Sequence, residues 1–287
     1  MTAKPEVMDL VAQLKAAEEK FVLATVVRTV SVTAAKAGAK AVIRPDGTIA
    51  AGWIGGGCAR GAVLKAAREA LADGEPRMVS VQPENLLAEL GIKPGESRGG
   101  VRFVKNMCPS KGTMDIFIEP MLPHPSLVIL GSSPVALALA TLARDFGYHV
   151  TIAAPAAEFI TPPDADAVVD GFTLQKLGDA QRFVVVSTQG KGDEAALTAA
   201  IGITADYHAF VGSRRKMAAL FEKLVGAGHP PELLARVKAP AGLDLGAITP
   251  DEIALSIMAE ITLTRRRGQR AAFATTTTED VNHADHR

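Results

Sequence analysis

From residue 127 onward, short apolar runs alternate with stretches of helical periodicity. No other feature restricts the fold as much. Leu127-Val-Ile-Leu-Gly131 is apolar on every residue, as a strand buried on both faces must be. Residues 134–146 (PVALALATLARDF) follow as a helix, with Pro134 in its first turn and Gly147 closing it. His149 to Ala153 is the next strand, and further strands are predicted at 166–169, 183–187 and 207–211. Helices are predicted at 192–201, 214–226 and 250–266. Buried strands separated by helices call for a parallel, doubly wound sheet.

The first half reads differently. Val7, Leu10, Val11, Leu14 and Ala17 form one helical stripe within residues 6–20. Phe21 to Val30 is a β-branched run and an expected central strand. Residues 39–44 and Thr48 to Ala51 form a hairpin around Pro45-Asp46-Gly47, where Pro fixes φ and Gly accepts a positive one. A helix over about residues 59–73 is followed by strands near 77–82, 101–105 and 113–119. Three prolines between residues 120 and 126 mark a domain boundary. The expected fold is α/β: a mixed N-terminal domain over residues 1–122, then the doubly wound domain over 123–270. The tail at 271–287 carries four threonines and then acids and histidines without apolar period, and is expected to be disordered.

Composition narrows the function. The chain has 31 acidic and 31 basic residues, which argues against a nucleic-acid binder because such a protein needs a basic excess. Cys58 and Cys108 form no paired framework, and no histidine joins a cysteine at metal-ligand spacing. No apolar run reaches membrane-spanning length and the N-terminus lacks a signal-peptide core, so a cytoplasmic setting is expected.

Two glycine-rich junctions carry the chemistry. In the first, Gly52-Trp-Ile-Gly-Gly-Gly-Cys58, the backbone N–H groups of Gly55, Gly56 and Gly57 can approach a ligand closely. Cys58 stands where a helix begins, a position that favours thiolate. The pair suits an anionic, phosphate-bearing or sulfur-accepting ligand, or else is a tight turn before a small buried cysteine. In the second, Gly131-Ser132-Ser133-Pro134-Val135-Ala136 lies between strand and helix. A G-x-G-x-x-G/A turn holds a pyrophosphate in that setting. Ser133 replaces the middle glycine, either crowding a phosphate or bonding it. The acid expected at the end of the second strand is missing, and Glu158 comes late. The nucleotide-binding (Rossmann-like) fold is therefore indicated and NAD in particular is disfavoured. A G-x-S-x-G elbow would need a glycine where Val135 stands, which weighs against Ser133 as a nucleophile served by His208. Gln189-Gly190-Lys191-Gly192-Asp193 fails the P-loop spacing and reads as a loop with an Asp N-cap on the binding edge of the sheet. At Gly212-Ser213-Arg214-Arg215-Lys216, Ser213 can cap a helix, while three cations oppose its dipole and point to a phosphate partner or to a solvated basic face.

Gly38-Ala-Lys-Ala-Val-Ile-Arg-Pro-Asp-Gly47 with Ile54-Gly-Gly-Gly-Cys58, Phe210-Val-Gly-Ser-Arg-Arg-Lys216 and the block from Pro240 to Glu260 together resemble the XdhC/CoxI family. The resemblance covers residues 20 to 268. It implies a maturation chaperone for a molybdenum hydroxylase of the xanthine dehydrogenase or carbon monoxide dehydrogenase type, rather than a catalyst of metabolite turnover. The implied ligand is molybdenum cofactor, as molybdopterin or its cytosine dinucleotide, sulfurated with a cysteine desulfurase and inserted into the client. The implied contacts are Gly55, Gly56, Gly57, Cys58, Gly131, Ser132, Ser133, Pro134, Val135, Gln189, Gly212, Ser213 and Arg214, with Cys58 touching molybdenum or sulfur. A homodimer is implied as well. Departures from the family pattern are Arg60 for a glutamate, Pro109-Ser110 after Cys108 for a Gly-Gly, Val30 to Ala35 for a Gly-Ser-x-Pro-Arg stretch, and Gln189 for a histidine. They suggest a divergent paralogue of CoxF type, which binds nucleotide differently or partners a more typical member. The alternatives are a NAD(P)- or FAD-dependent oxidoreductase and a scaffold that has lost its ligand.

Overall fold

A computed structural model describes residues 6–108, 111–174, 178 and 180–281, with backbone alone for residue 58 and residues 267–281. Contacts separate a first unit, which includes the residues up to Pro123, from a second spanning His124–Gly268.

In the first unit α1 (Val7–Ala16) leads into β1 (Phe21–Val30), β2 (Lys40–Ile43) and β3 (Ile49–Gly52). Then come α2 (Gly57–Asp73), β4 (Arg77–Gln82), α3 (Glu84–Glu89), β5 (Ser97–Arg98), β6 (Val101–Lys105) and β7 (Thr113–Met121). The seven strands form one sheet in the order β3-β2-β1-β7-β4-β6-β5. Only β4 and β6 pair in parallel. The alternation of β1 sorts its side chains. Val22, Ala24 and Val26 pack beneath α2 with Ile116 and Ile118 of β7, while Phe21 and Leu23 pack with Leu10, Val11 and Leu14 of α1. The hairpin turn forms as its residues dictate, the Thr48 N–H donating to Asp46 Oδ1 at 2.8 Å. Gly74 ends α2 in a left-handed cap, its N–H donating to Ala70 O.

The second unit begins with β8 (Ser126–Leu130), α4 (Pro134–Asp145), β9 (His149–Ala154), a short 3-10 turn (Ala156–Glu158), β10 (Ala167–Asp170) and β11 (Arg182–Val186). It continues with α5 (Asp193–Ile201), β12 (Tyr207–Phe210), α6 (Arg214–Gly226), α7 (Pro231–Leu234), β13 (Val237–Lys238) and α8 (Pro250–Val281). Its six strands lie in the order β10-β9-β8-β11-β12-β13, every pair parallel. Counted from β8, this is the order 3-2-1-4-5-6 of the doubly wound dinucleotide folds. Leu127 and Ile129 face one core with α4 and α8, and Val128 and Leu130 face the other with α5, α6 and α7. That two-sided burial explains the uninterrupted apolar run.

Three expectations need correction. β7 continues through Pro120, which pairs with Val22 of β1. The last partner of β7 on β4 is Ile118, opposite Arg77, so at Pro120 the strand has a neighbour on one side only and tolerates the missing N–H. Four short elements, α3, β5, α7 and β13, carry too little periodicity to be predicted. The α8 backbone runs on to Val281, helical where disorder was expected. Ala271, Ala272 and Ala274 supply helix propensity that an apolar-period criterion does not register.

The block from Pro240 to Glu260 is held by a buried carboxylate. Glu260 on α8 accepts from the Tyr207 hydroxyl at 2.5 Å and from the Gly242 N–H at 2.9 Å, and pairs with the Lys238 ammonium. Burial, then the Glu260 carboxylate, pushes the Tyr207 phenol well above its usual pKa. His208, next on β12, is buried too, with Nε2 2.9 Å from Ile203 O. Burial pulls its pKa below the ordinary imidazole value against the opposing effect of that bond, and Arg236 adds to the lowering. The unfolded chain therefore takes up a proton at His208 first as pH falls. The stability this residue contributes is full above its unfolded pKa, about 6.5, and is lost as pH drops through the lower folded value. In urea unfolding followed by circular dichroism, His208→Gln should lose less stability than the parent between about pH 7 and 5.

Candidate functional site

The first glycine junction borders a cleft of about 50 Å³ in the first unit. Three loops far apart in sequence line it. Thr33 and Ala34 follow β1, Gly55, Gly56 and Ala59 open α2, and Asn106, Cys108 and Gly112 precede β7. Val81 and Met114 form part of the wall. Asn106 organises its own loop, its Nδ2 donating to Gly112 O at 2.6 Å and its Oδ1 accepting from the Cys108 N–H at 2.9 Å. A Cβ on Gly112 would fall 2.2 Å from Val32 O, so the Cys108 loop and the Thr33 loop are pressed together.

Gly56 differs in kind. Its φ of −106° is ordinary, and a Cβ there would meet only the Trp53 ring at 3.8 Å. The fold does not require glycine at this position, yet its bare backbone faces the cleft. Gly57 is the first residue of α2 and Cys58 the second, between the lining residues Gly56 and Ala59. The Cys58 side chain lies outside the described residues. Cys108 is free and exposed at the same cleft. In the sequence Cys108 stands out only by the departure of the following Pro109-Ser110 from the family's Gly-Gly. Only the fold brings it to the glycine loop.

The second junction lies where the strand order reverses, between the C-terminal ends of β8 and β11. Gly131, with φ of +132°, has no room for a side chain: a Cβ would fall 2.1 Å from Ser187 O. Ser133 neither crowds the crevice nor faces it. Its buried hydroxyl caps α4, accepting from the Ala136 N–H at 3.1 Å, and lies 2.6 Å from Ser187 Oγ. Pro134 and Val135 open α4 behind it. Ser132 donates to Glu158 Oε2, so the late acid returns to the glycine turn. Ser133 and His208 form no catalytic pair, since His208 bonds a backbone carbonyl.

Across the crevice, Gln189 holds a left-handed φ of 53°, a conformation that costs a side-chain-bearing residue about 1 kcal/mol. Asp193 does not cap its helix. Gly192 is the N-cap residue, and the buried Asp193 carboxylate accepts from Thr188 Oγ1 and from the Gly190 N–H at 3.2 Å. It also pairs with Lys216 Nζ at 2.7 Å, while that ammonium stands 5.4 Å from the Phe210 ring centroid. Gly212 makes room for that ring, since a Cβ would fall 2.3 Å from its Cε1. Ser213 caps α6 as expected, accepting from the Lys216 N–H at 3.2 Å. Arg214 and Arg215 are exposed in the first turn of α6 and pair with no described acid. The structure thus gathers Gly131, Ser132, Ser133, Pro134 and Val135 at one strand end and Gln189, Gly212, Ser213 and Arg214 along the same edge of the sheet. Gly55, Gly56, Gly57 and Cys58 belong to the other unit's cleft. Among the described residues no three His, Cys, Asp or Glu side chains gather as a metal centre would require, and no helix is long and apolar enough to cross a membrane.

Steric differences between glycines are directly measurable. Gly131→Ala should cost about 3 kcal/mol, because backbone must move to admit the methyl. Gly61→Ala, inside α2 with nothing within 4 Å of the new carbon, should stabilise by about 0.5–1 kcal/mol. Urea midpoints of the two variants against the parent check both signs.

Residues 127–261 match the XdhC Rossmann domain, and residues 14–82 match the XdhC and CoxI family. The chain is 29% identical over 231 residues to the uncharacterized protein YqeB of Escherichia coli, an alignment covering 78% of this chain and 40% of that protein. It is 31% identical over 163 residues to a probable xanthine dehydrogenase subunit of Bacillus subtilis, covering 54% of this chain and 47% of that one. The chain thus matches less than half the length of these curated relatives. A crystal structure of a xanthine dehydrogenase from Bacillus halodurans is 19% identical, covering 92% of this chain and 96% of its own, with a TM-score of 0.42. The two family matches cover the parallel sheet with its crevice and, in the first unit, β1 to β4 with the glycine loop, and on them this chain belongs to the XdhC and CoxI family.

Proposed function

We propose that this chain is an accessory factor for the maturation of a molybdenum hydroxylase, of the xanthine dehydrogenase or carbon monoxide dehydrogenase type. In this reading it binds molybdenum cofactor or its nucleotide half and assists sulfuration and insertion into the client, with a cysteine desulfurase or a paralogous family member as a further partner. The observation that carries the reading is the cleft of the first unit. There the loop before Cys58 and the loop of Cys108 meet around a glycine, Gly56, that the fold itself does not need. Bare backbone amides and two sulfur-bearing segments at one cleft suit an anionic ligand whose sulfur is exchanged. The crevice of the second unit, taken by itself, suits a nucleotide. The inward turn of Ser133 leaves the Gly131 turn clear, and the α4 N-terminus stands behind it.

The cofactor, when bound, carries the metal that the client enzyme uses. This chain's own part is, in the first unit, to offer backbone amides at Gly55 to Gly57 beside Cys58 to an anionic group and, in the second, to seat a nucleotide phosphate at Gly131 to Val135. Equilibrium dialysis against molybdopterin cytosine dinucleotide should show binding. Gly56→Val should weaken it at least about tenfold with an unchanged thermal melt, because Gly56 lines the cleft and a carbon added there meets no core atom, only the Trp53 ring. No binding by the parent protein would end the proposal. Cys58→Ala should abolish sulfuration of the client while leaving the protein folded. Loss of stability with full client activity per folded molecule would show Cys58 to be core.

The strand order 3-2-1-4-5-6 favours a second reading, a NAD(P)- or FAD-dependent oxidoreductase. Titration with NAD(H), NADP(H) and FAD separates the two. Submillimolar affinity together with turnover would favour the oxidoreductase.

A further inference from the structure

We infer that Trp53 is an aromatic wall at the mouth of the first unit's cleft, and that the cleft takes a planar heteroaromatic ring carrying a short anionic arm. The ring lies against the indole and the arm reaches the bare backbone of Gly55 to Gly57. The inference rests on the reading of the cleft as a cofactor site. It specifies which part of a ligand is held there and by which side chain.

Trp53 is the chain's single tryptophan, and the fold fixes its backbone without burying its ring. β3 ends at Gly52, whose φ of +81° brings it so close to β2 that a Cβ would fall 2.0 Å from Lys40 O. The Trp53 N–H donates to the same Lys40 carbonyl at 2.9 Å. Ile54, the next residue, is fully buried in the core beneath α2. Trp53 is left 52% exposed and stands outside both cores of the unit. An indole has only two side-chain torsions to fix, so one carried on a held backbone offers contact area at little cost in entropy.

The ring reaches the cleft. A carbon added to Gly56 would meet Trp53 Cη2 at 3.8 Å and Cζ2 at 4.0 Å, with no other atom within 4 Å. The outer edge of the indole thus stands over the backbone of a lining residue, with room for a ligand atom between them. The other two loops also carry exposed apolar residues. Val32 precedes the lining residue Thr33, and Met107 lies between Asn106 and Cys108, each 69% exposed. Large apolar side chains left in water on all three loops of one cleft call for something that covers them.

Volume decides how a ligand sits. A cavity of about 150 Å³ takes up a single benzene ring. The cleft, at about 50 Å³, is too small for a ring and admits a small group such as a carboxylate. The ring attached to that group stays at the mouth, where Trp53 stands. A flat heteroaromatic ring stacks on an indole in an offset geometry that an aliphatic side chain cannot offer. The bare amides of Gly55 to Gly57 take the anionic arm.

The test uses the full chain and pterin-6-carboxylate, which has such a ring and an anionic arm but no nucleotide for the second unit to hold. Because Trp53 is the only tryptophan, its emission reports on this one position. Pterin-6-carboxylate should quench that emission saturably, beyond the loss its own absorbance causes, and inorganic phosphate should not. In equilibrium dialysis Trp53→Phe should bind within about threefold of the parent and Trp53→Leu about tenfold more weakly, the size expected when a stacked aromatic is removed. Both variants should melt as the parent does, since the ring lies outside the cores. Leu is apolar as Phe is, so a role in burial or folding alone would leave the two variants alike. Binding without quenching, or equal binding by Trp53→Leu and the parent, would overturn the role of Trp53 while leaving the cofactor reading in place. So would a parent protein that binds molybdopterin cytosine dinucleotide and not pterin-6-carboxylate. Binding of neither would overturn the inference and the cofactor reading together.

Discussion

The second unit is organised by the contact between Gly131 and the backbone of Ser187 and Thr188. Two parallel strands whose ends came together with ordinary side chains would stand further apart. Here the missing Cβ lets the end of β8 close on the end of β11, since any side-chain carbon on Gly131 would overlap the Ser187 carbonyl. That approach brings Ser133 to Ser187, where two hydroxyls satisfy each other out of water, and it aims the first turn of α4 across the strand ends. The crevice, the orientation of Ser132 and the reach of Glu158 all follow from it. A site of this kind is less a set of ligand-binding side chains than a gap between strands whose width one residue sets.

Much of this was legible in the sequence because the signals were local. β1, β4 and α6 fall at the residues that periodicity predicts, and the hairpin turn forms with its Asp46 bond as its composition requires. The glycine turn before α4 was legible for the same reason. What could not be read was non-local. Nothing about residues 30–35 or 106–112 says that they meet the loop before Cys58, because that meeting depends on β7 lying between β1 and β4. Glu158 looked too late to serve the glycine turn, since counting along the chain takes no account of a 3-10 turn that folds it back. Asp193 looked like a helix cap and instead ties its loop to Lys216. In each case residue type was informative and its partner was not.

The block from Pro240 to Glu260, the strongest point of resemblance to the family, has a structural explanation. Glu260 is a nearly buried carboxylate with three donors from three different segments, and Gly242 leaves no space for a side chain beside Ser256. A charge so enclosed holds its surroundings in one arrangement, because any partner withdrawn leaves it uncompensated. A run of residues can therefore resemble a family closely without any of them touching a ligand.

That same carboxylate defines the smallest piece of the second unit that is whole. Tyr207, Lys238 and the Gly242 N–H all precede α8, yet the acceptor they share sits more than two turns into that helix. Dissecting the chain at the end of the sheet, after Val237–Lys238, would separate Tyr207 and Lys238 from the carboxylate that both of them bond. A gene fusion or recombination event that carries this module intact must carry α8 at least through Ile261, so the inheritable unit is longer than the sheet it contains.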